Sequence, residues 1–270
     1  MPSSIKIANY SLHKWEEPCI SGEKGTGAIF FSGCSLKCCF CQNYPISHEN
    51  KGEPITTERL IEIMKELESK GVHTIDFVNP THFSHILIEA LKKYKPSVPV
   101  VYNSSGYDSV ETLEKLQGLV DVYLPDLKYA ENDLALKFSH APDYFDKARL
   151  AIDEMFRQRG PYKMDDNGML TSGVIIRHLI LPGHLENSKK IIDYVKEKFD
   201  FYTIFLVDDK NNIYTINSDD EAREKHEQQE IIDFPRHRYI TIKDKNEIDK
   251  LLNVFGTEMT ILHKLSKLTK

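Results

Sequence analysis

Residues 27–41 read GAIFFSGCSLKCCFC. The apolar run 27-GAIFFS-32 reads as a buried strand that stops at Gly33. Four of the chain's five cysteines follow within eight positions. A strand that ends in a loop of thiols is the first member of a pattern that runs along most of the chain.

Working outward, residues 57–70 place Leu60, Met64 and Leu67 on one helical face, with Gly71 as a stop. A strand is expected at 73-HTIDFVNP-80. A helix over 83–94 then carries Phe83, Ile86, Leu87, Ala90, Leu91 and Tyr94 and ends before Pro96. The next strand is 98-VPVVYNS-104, followed by a short helix with Val110, Leu113 and Leu116. Residues 120–128 read as a strand, and a helix over 143–158 bears Ala148, Ile152, Met155 and Phe156. Residues 174–181 read as the next strand. The helix at 187–199 has Asn187 or Ser188 as its N-cap, and a last strand is expected at 201–208.

Strands alternating with helices predict an α/β protein with a parallel sheet and right-handed crossovers. A closed eightfold barrel needs two more units than this pattern supplies. The expected fold is an open, partial (β/α)6 barrel, with a doubly wound sheet as the alternative. Either architecture puts ligands at the C-terminal ends of the strands. The chemically unusual stretches sit there: the cysteine loop, 79-NPTH-82, 103-NSSGY-107, 125-PDLK-128 and 182-PGH-184. Residues 1–20 read as an N-terminal arm, with Trp15 capping the barrel, and 21–208 as the core. Residues 209–270 form a divergent C-terminal segment: polar over 217–230, with an edge strand within 231–242 that contains Pro235, and a helix over 244–256.

The 270-residue chain is 40% apolar and 28% charged, with a net charge of -6, which fits a globular protein. No overall basic field draws it to nucleic acid or anionic lipid. Its apolar runs are too short for a membrane span, and the N-terminus lacks a signal-like apolar core. A cytoplasmic location follows as an expectation. A reducing compartment disfavours disulfides and points the clustered thiols to metal or redox chemistry.

Cys34, Cys38 and Cys41 give C-x3-C-x2-C, with Cys39 as an extra thiol. Thiolates suit zinc or iron-sulfur clusters. A structural zinc site wants four ligands, and here Cys19 or a distant histidine would have to complete it. Three ligands on a cluster leave one metal position open to a small molecule, which makes a site catalytic.

Cys34-SLK-Cys38-CF-Cys41, placed directly after the first expected strand of the core, resembles the signature of the radical S-adenosylmethionine (SAM) superfamily. The motifs 102-YNSSGY-107, 122-VYLPDLKY-129, 152-IDEMFRQRG-160 and 177-RHLILPG-183 are similar to the subgroup related to pyruvate formate-lyase activating enzyme. The resemblance spans about residues 20–200. It implies that Cys34, Cys38 and Cys41 hold a [4Fe-4S] cluster whose fourth iron chelates the amino and carboxylate groups of SAM. The reduced cluster then cleaves SAM to methionine and a 5′-deoxyadenosyl radical, which takes hydrogen from a substrate. That substrate is a glycine of a partner glycyl-radical enzyme or a small molecule, and flavodoxin or ferredoxin supplies the electron.

The resemblance also suggests roles at the other strand ends. Asn79 stands where the subgroup's Thr-Pro-Thr-His begins with Thr. Asn79 and Thr81 offer acceptors to the SAM ammonium, with His82 beside them, although Thr81 also suits a helix cap. Asn103 and Ser105 would touch the ribose or methionyl part, or simply build a turn with Gly106. Lys128, two residues after Asp126, would lie by SAM or form a surface ion pair. Arg177 or His178 would contact the ligand or be a satisfied core polar group. Phe40 would pack near the adenine. Cys19 and Cys39 receive no role. The chain departs from the subgroup over 202–217, and it has no second cysteine cluster. A metal-stabilised, non-catalytic binding module is the alternative outside enzymology, and a degenerate barrel that binds SAM without turning it over is a third reading.

Overall fold

The computed structural model describes residues 5–14, 16–181 and 183–199, and strands at Thr203–Val207, Ile213–Asn217 and Tyr239–Thr241. The expectations for Trp15, for the polar run after residue 217 and for the helix at 244–256 lie outside these residues. The chain divides into two units, Met1–Pro125 with Asn132–Ile175, and Asp126–Glu131 with Ile176–Lys270.

The first unit is built on eight strands: β1 (Ile5–His13), β2 (Thr26–Phe31), β3 (Glu53–Ile55), β4 (Thr74–Val78), β5 (Val100–Ser104), β6 (Val122–Pro125), β7 (Lys163–Met164) and β8 (Leu170–Val174). They lie in the order β3-β1-β2-β4-β5-β6-β8-β7. The middle run β2-β4-β5-β6-β8 is parallel, and the flanking pairs are antiparallel. β5 and β6 are buried along their whole length, the mark of parallel strands covered on both faces. Residues 5–13, expected within an arm, are instead a strand hydrogen-bonded to β2 and β3.

The helices of this unit are α1 (Pro18–Ser21), α2 (Tyr44–Ser47), α3 (Thr57–Ser69), α4 (Ser84–Lys93), α5 (Val110–Leu116), α6 (Asn132–Ser139) and α7 (Tyr144–Arg159). Helix α3 starts where Thr56 Oγ1 accepts the Arg59 N–H at 3.1 Å, and it buries Leu60, Ile63, Met64 and Leu67. It packs against β2 at Gly27, where a Cβ would fall 2.8 Å from Ile75 Cδ1 and 2.9 Å from Leu67 Cβ. Only glycine fits that approach without displacing its neighbours.

The second unit has strands β9 (Ile176–Leu179), β10 (Thr203–Val207), β11 (Ile213–Asn217) and β12 (Tyr239–Thr241), in the order β12-β11-β10-β9. β9 and β10 are parallel and joined through α8 (Leu185–Lys198). The strand expected at 174–181 is therefore interrupted: β8 ends at Val174 and β9 begins at Ile176. Helix α8 starts earlier than expected, with His184 at its N-cap and no side-chain cap bond. Asn187 and Ser188 are not caps because their side chains are bonded elsewhere. Asn187 bridges Lys128 O at 3.0 Å and Ala130 N at 2.8 Å, and Ser188 meets His178. No helix among the described residues is long and apolar enough to cross a membrane.

Candidate active site

The cysteine loop leaves the C-terminal end of β2 through Gly33, which has φ +84°. Each sulfur of the C-x3-C-x2-C set has its own partner. Leu36 N–H donates to Cys34 Sγ at 3.4 Å. Ser139 Oγ, at the end of α6, donates to Cys38 Sγ at 2.9 Å. Cys41 Sγ lies 3.0 Å from Ser47 Oγ, which is in turn 2.8 Å from His48 Nδ1. Cys38 is buried, and Cys34 and Cys41 are half-buried. Phe40 is half-exposed in the turn closed by the Cys41 N–H bond to Cys38 O at 3.2 Å.

The remaining two thiols stand apart. Cys39 is exposed. Cys19 is fully buried, and burial, reinforced by Glu17, pushes its thiol far up, so it stays protonated. The donor set is thus three thiols on one loop, which fits a four-iron cluster with one free corner. Among the described residues no three His, Cys, Asp or Glu side chains converge where a single ion would sit. A cluster meets its thiolates at separate irons and asks for no such convergence.

The ends of β4 and β5 adjoin this loop. Asn79 has φ +57°, a conformation asparagine tolerates better than most residues. Its Nδ2 donates to Gly33 O at 2.7 Å, its Oδ1 accepts from Cys34 Sγ at 3.5 Å, and its backbone N–H donates to Asn103 O at 2.7 Å. One residue therefore ties the cysteine loop to the C-terminal end of β5. Asn103 is buried, and its Nδ2 donates to Asp76 Oδ2 at 3.2 Å. His82 Nε2 donates to Ser32 O at 2.7 Å, while its Nδ1 is buried without a partner. Burial lowers the His82 pKa, so the ring is neutral with its proton on Nε2.

Thr81 opens a short 3-10 turn rather than capping α4, and its buried hydroxyl lies beside Tyr102 and Asp108 without meeting hydrogen-bond geometry to either. The Ser105 hydroxyl is likewise buried with no protein partner, although its carbonyl accepts from Tyr144 OH at 2.8 Å. Beneath this loop Asp108 contacts Tyr102 OH at 2.9 Å and Ser104 Oγ at 2.6 Å. Tyr102 OH also meets Ser84 Oγ at 3.0 Å, and Ser84 donates to Thr81 O at 2.6 Å. Those four contacts share only the three hydroxyl protons of Tyr102, Ser104 and Ser84. Tyr102 and Ser104 donate to the two Asp108 oxygens, and the Ser84 proton is shared between Thr81 O and the Tyr102 hydroxyl. Burial pushes the Asp108 carboxyl up, against its hydrogen bonds.

The second unit holds the other expected residues. Lys128 pairs with Asp126 at 2.5 Å, and Arg177 Nε with the other Asp126 oxygen at 3.0 Å. Burial pushes that carboxyl up, but the two cations more than reverse it and hold it below its ordinary range. His178 faces away from Arg177 along β9, as strand alternation requires. It is 1% exposed, and burial pushes its pKa down to about 4. The neutral ring donates from Nδ1 to Leu127 O at 2.6 Å and accepts at Nε2 from Ser188 Oγ at 2.8 Å. Both nitrogens are engaged within the protein, so His178 sits as a satisfied core histidine.

Asn79 and Asn103, named from sequence, are thus brought together with the cysteines, and Thr81 and Ser105 lie on the same two loops. Ser139, Ser47 and Asp108 escaped sequence reading. Ser139 stands in an unremarkable 138-FSH-140, and only the fold brings it to a cysteine.

The family model for the radical SAM superfamily matches residues 28–214. The chain belongs to that superfamily, and its α/β, mostly parallel sheet is of the partial-barrel type found there. The cofactors that go with membership are a [4Fe-4S] cluster and SAM. The uncharacterised protein MJ0674 of Methanocaldococcus jannaschii is 32% identical over 209 residues, which cover 73% of this chain and 56% of the relative. Among solved structures, Streptococcus suis SuiB bound to SAM aligns with TM-score 0.46 and 14% identity, over 79% of this chain and 49% of SuiB. HydG, a maturase of the [FeFe]-hydrogenase, aligns with TM-score 0.44 and 16% identity, over 65% and 40% of the two chains.

Proposed function

We propose that the protein is a radical SAM enzyme whose cluster is held by Cys34, Cys38 and Cys41. The observation that carries this reading is the donor set: three thiols on one strand-end loop, a fourth buried and protonated, and a fifth turned outward. When bound, the cluster supplies the electron that splits SAM into methionine and a 5′-deoxyadenosyl radical, which then takes a hydrogen atom from substrate.

The chain's own residues bind and orient. A Cys34 thiolate holding iron would no longer donate to Asn79 Oδ1, which would then be free to accept from the SAM ammonium while Nδ2 stays on Gly33 O. The Ser105 hydroxyl, without a protein partner, is a donor and acceptor for the ribose or methionyl groups. Leaving such a hydroxyl unmatched costs about 1–3 kcal/mol, which a ligand contact offsets. Asn103 takes part through its place beside Asn79, Thr81 through its hydroxyl on the same loop, and Phe40 packs near the adenine.

The finer reading is hydrogen abstraction from a glycine of a partner glycyl-radical enzyme, with flavodoxin or ferredoxin as electron donor in the cytoplasm. It rests on the motif resemblance over about residues 20–200. A small-molecule substrate is the second reading, favoured by the departure of residues 202–217 from the activating-enzyme pattern.

The test is anaerobic. The protein is reconstituted with iron and sulfide, given SAM and dithionite, and 5′-deoxyadenosine is quantified beside Cys38→Ala. Product from the wild type and none from the variant is expected. A wild type that binds zinc and forms no cluster overturns the reading in favour of a non-catalytic module.

A further inference from the structure

The cysteine loop is seated on the end of α6. Lys37 N–H donates to Ser139 O at 3.0 Å and Cys39 N–H to Phe138 O at 2.9 Å. These carbonyls belong to the last turn of a helix, where no intrahelical N–H remains to meet them. The same residue that accepts from Lys37 sends its hydroxyl to Cys38 Sγ at 2.9 Å. Ser139 is 0% and Cys38 8% exposed, so water does not compete for the bond. A cysteine that holds iron has no proton and can only accept, which is the direction this bond already has.

A hydrogen bond to a cluster-ligating sulfur stabilises the more electron-rich state of the cluster and so raises its reduction potential. We propose that Ser139 is a positioning residue for the cluster: through its hydroxyl on Cys38 it holds that ligand and makes the cluster easier to reduce. The donors at the other two sulfurs are less open to a single test. The Cys34 donor is a backbone N–H, and the Ser47 hydroxyl beside Cys41 is shared with His48 Nδ1. The proposal rests on the radical SAM reading above.

The test compares wild type, Ser139→Ala and Ser139→Thr after anaerobic reconstitution. Iron and sulfide per chain are measured first. The midpoint potential of the cluster is then measured by redox titration followed by electron paramagnetic resonance. The expected result is full cluster content in all three, a more negative midpoint for Ser139→Ala, and a midpoint near wild type for Ser139→Thr, which keeps the hydroxyl. Loss of iron from Ser139→Ala with retention in Ser139→Thr also supports the hydroxyl as the hold on Cys38. An unmoved midpoint in Ser139→Ala, an equal shift in both variants, or loss of iron from both overturns the proposal and leaves the enzyme reading intact. A wild type that takes up no cluster overturns that reading instead, and the proposal with it.

Discussion

Asp108 and His178 are both buried, and burial shifts the two groups in opposite directions. Asp108 accepts from Tyr102 and Ser104 at the centre of a four-contact network. Asn in its place keeps one acceptor oxygen for these two hydroxyls. Asp108→Asn should therefore cost less thermal stability at pH 7 than Asp108→Ala, which should lose about 1–3 kcal/mol through orphaned hydroxyls. A carboxyl whose folded pKa is raised contributes its stability below the unfolded value and loses it as pH rises through the folded value. An Asn variant that is as unstable as the Ala variant at pH 7 removes the acceptor oxygen from the account.

His178 behaves oppositely. Its folded pKa is pushed down to about 4 from an ordinary 6.5. The unfolded chain takes up the proton first as pH falls, so stability drops between about pH 6.5 and 4, by about 3 kcal/mol at the limit. Urea unfolding of wild type and His178→Gln at pH 7, 5 and 4 checks this. The gap in stability between them should move against wild type as pH falls, and a constant gap removes the histidine from the account.

At the scale of elements, the contact between α3 and β2 is set by what Gly27 lacks. Gly27→Ala should cost about 1–3 kcal/mol, since the new methyl meets Ile75 Cδ1 at 2.8 Å. Ile75→Val removes that carbon at about 0.5–1.5 kcal/mol on its own. The double variant should cost less than the sum, because each change makes room for the other. Additive costs measured by chemical denaturation would place the crowding elsewhere. Leu67→Ala, which opens the fully buried side of α3, should cost about 2–5 kcal/mol.

At the scale of the whole molecule, the fold and the site differ in how readable they were. The strands expected at 27–32, 73–80, 98–104 and 120–128 stand as β2, β4, β5 and β6, because fully buried parallel strands leave continuous apolar runs between helical patterns. β1, with IKIANYSLH, was missed because its burial is mixed and no apolar run marks it. The cysteines and the strand-end loops were legible, since metal ligands at close spacing and polar residues after strands carry local signals. Ser139, Asp108 and the partners of His178 were not, because each gains its role from residues that only folding makes neighbours. One consequence holds for the molecule as a unit. Stripping the cluster with an anaerobic chelator should lower the melting temperature and leave the far-UV circular dichroism at 25 °C unchanged, since the sheet is completed without the loop. A loss of secondary structure at that temperature would mean the cluster builds the fold rather than occupying it.

The bond from Ser139 to Cys38 spans 101 residues of chain. On the ribosome, at roughly 5–20 residues per second, that span takes about 5–20 s to synthesise. For that interval the cysteines are made but the helix end that seats them is not, and the thiols meet oxygen and stray metal unprotected. Growth conditions that slow translation through residues 42–139 lengthen the exposure, so the yield of competent enzyme depends on how fast this stretch is made as well as on how well it folds.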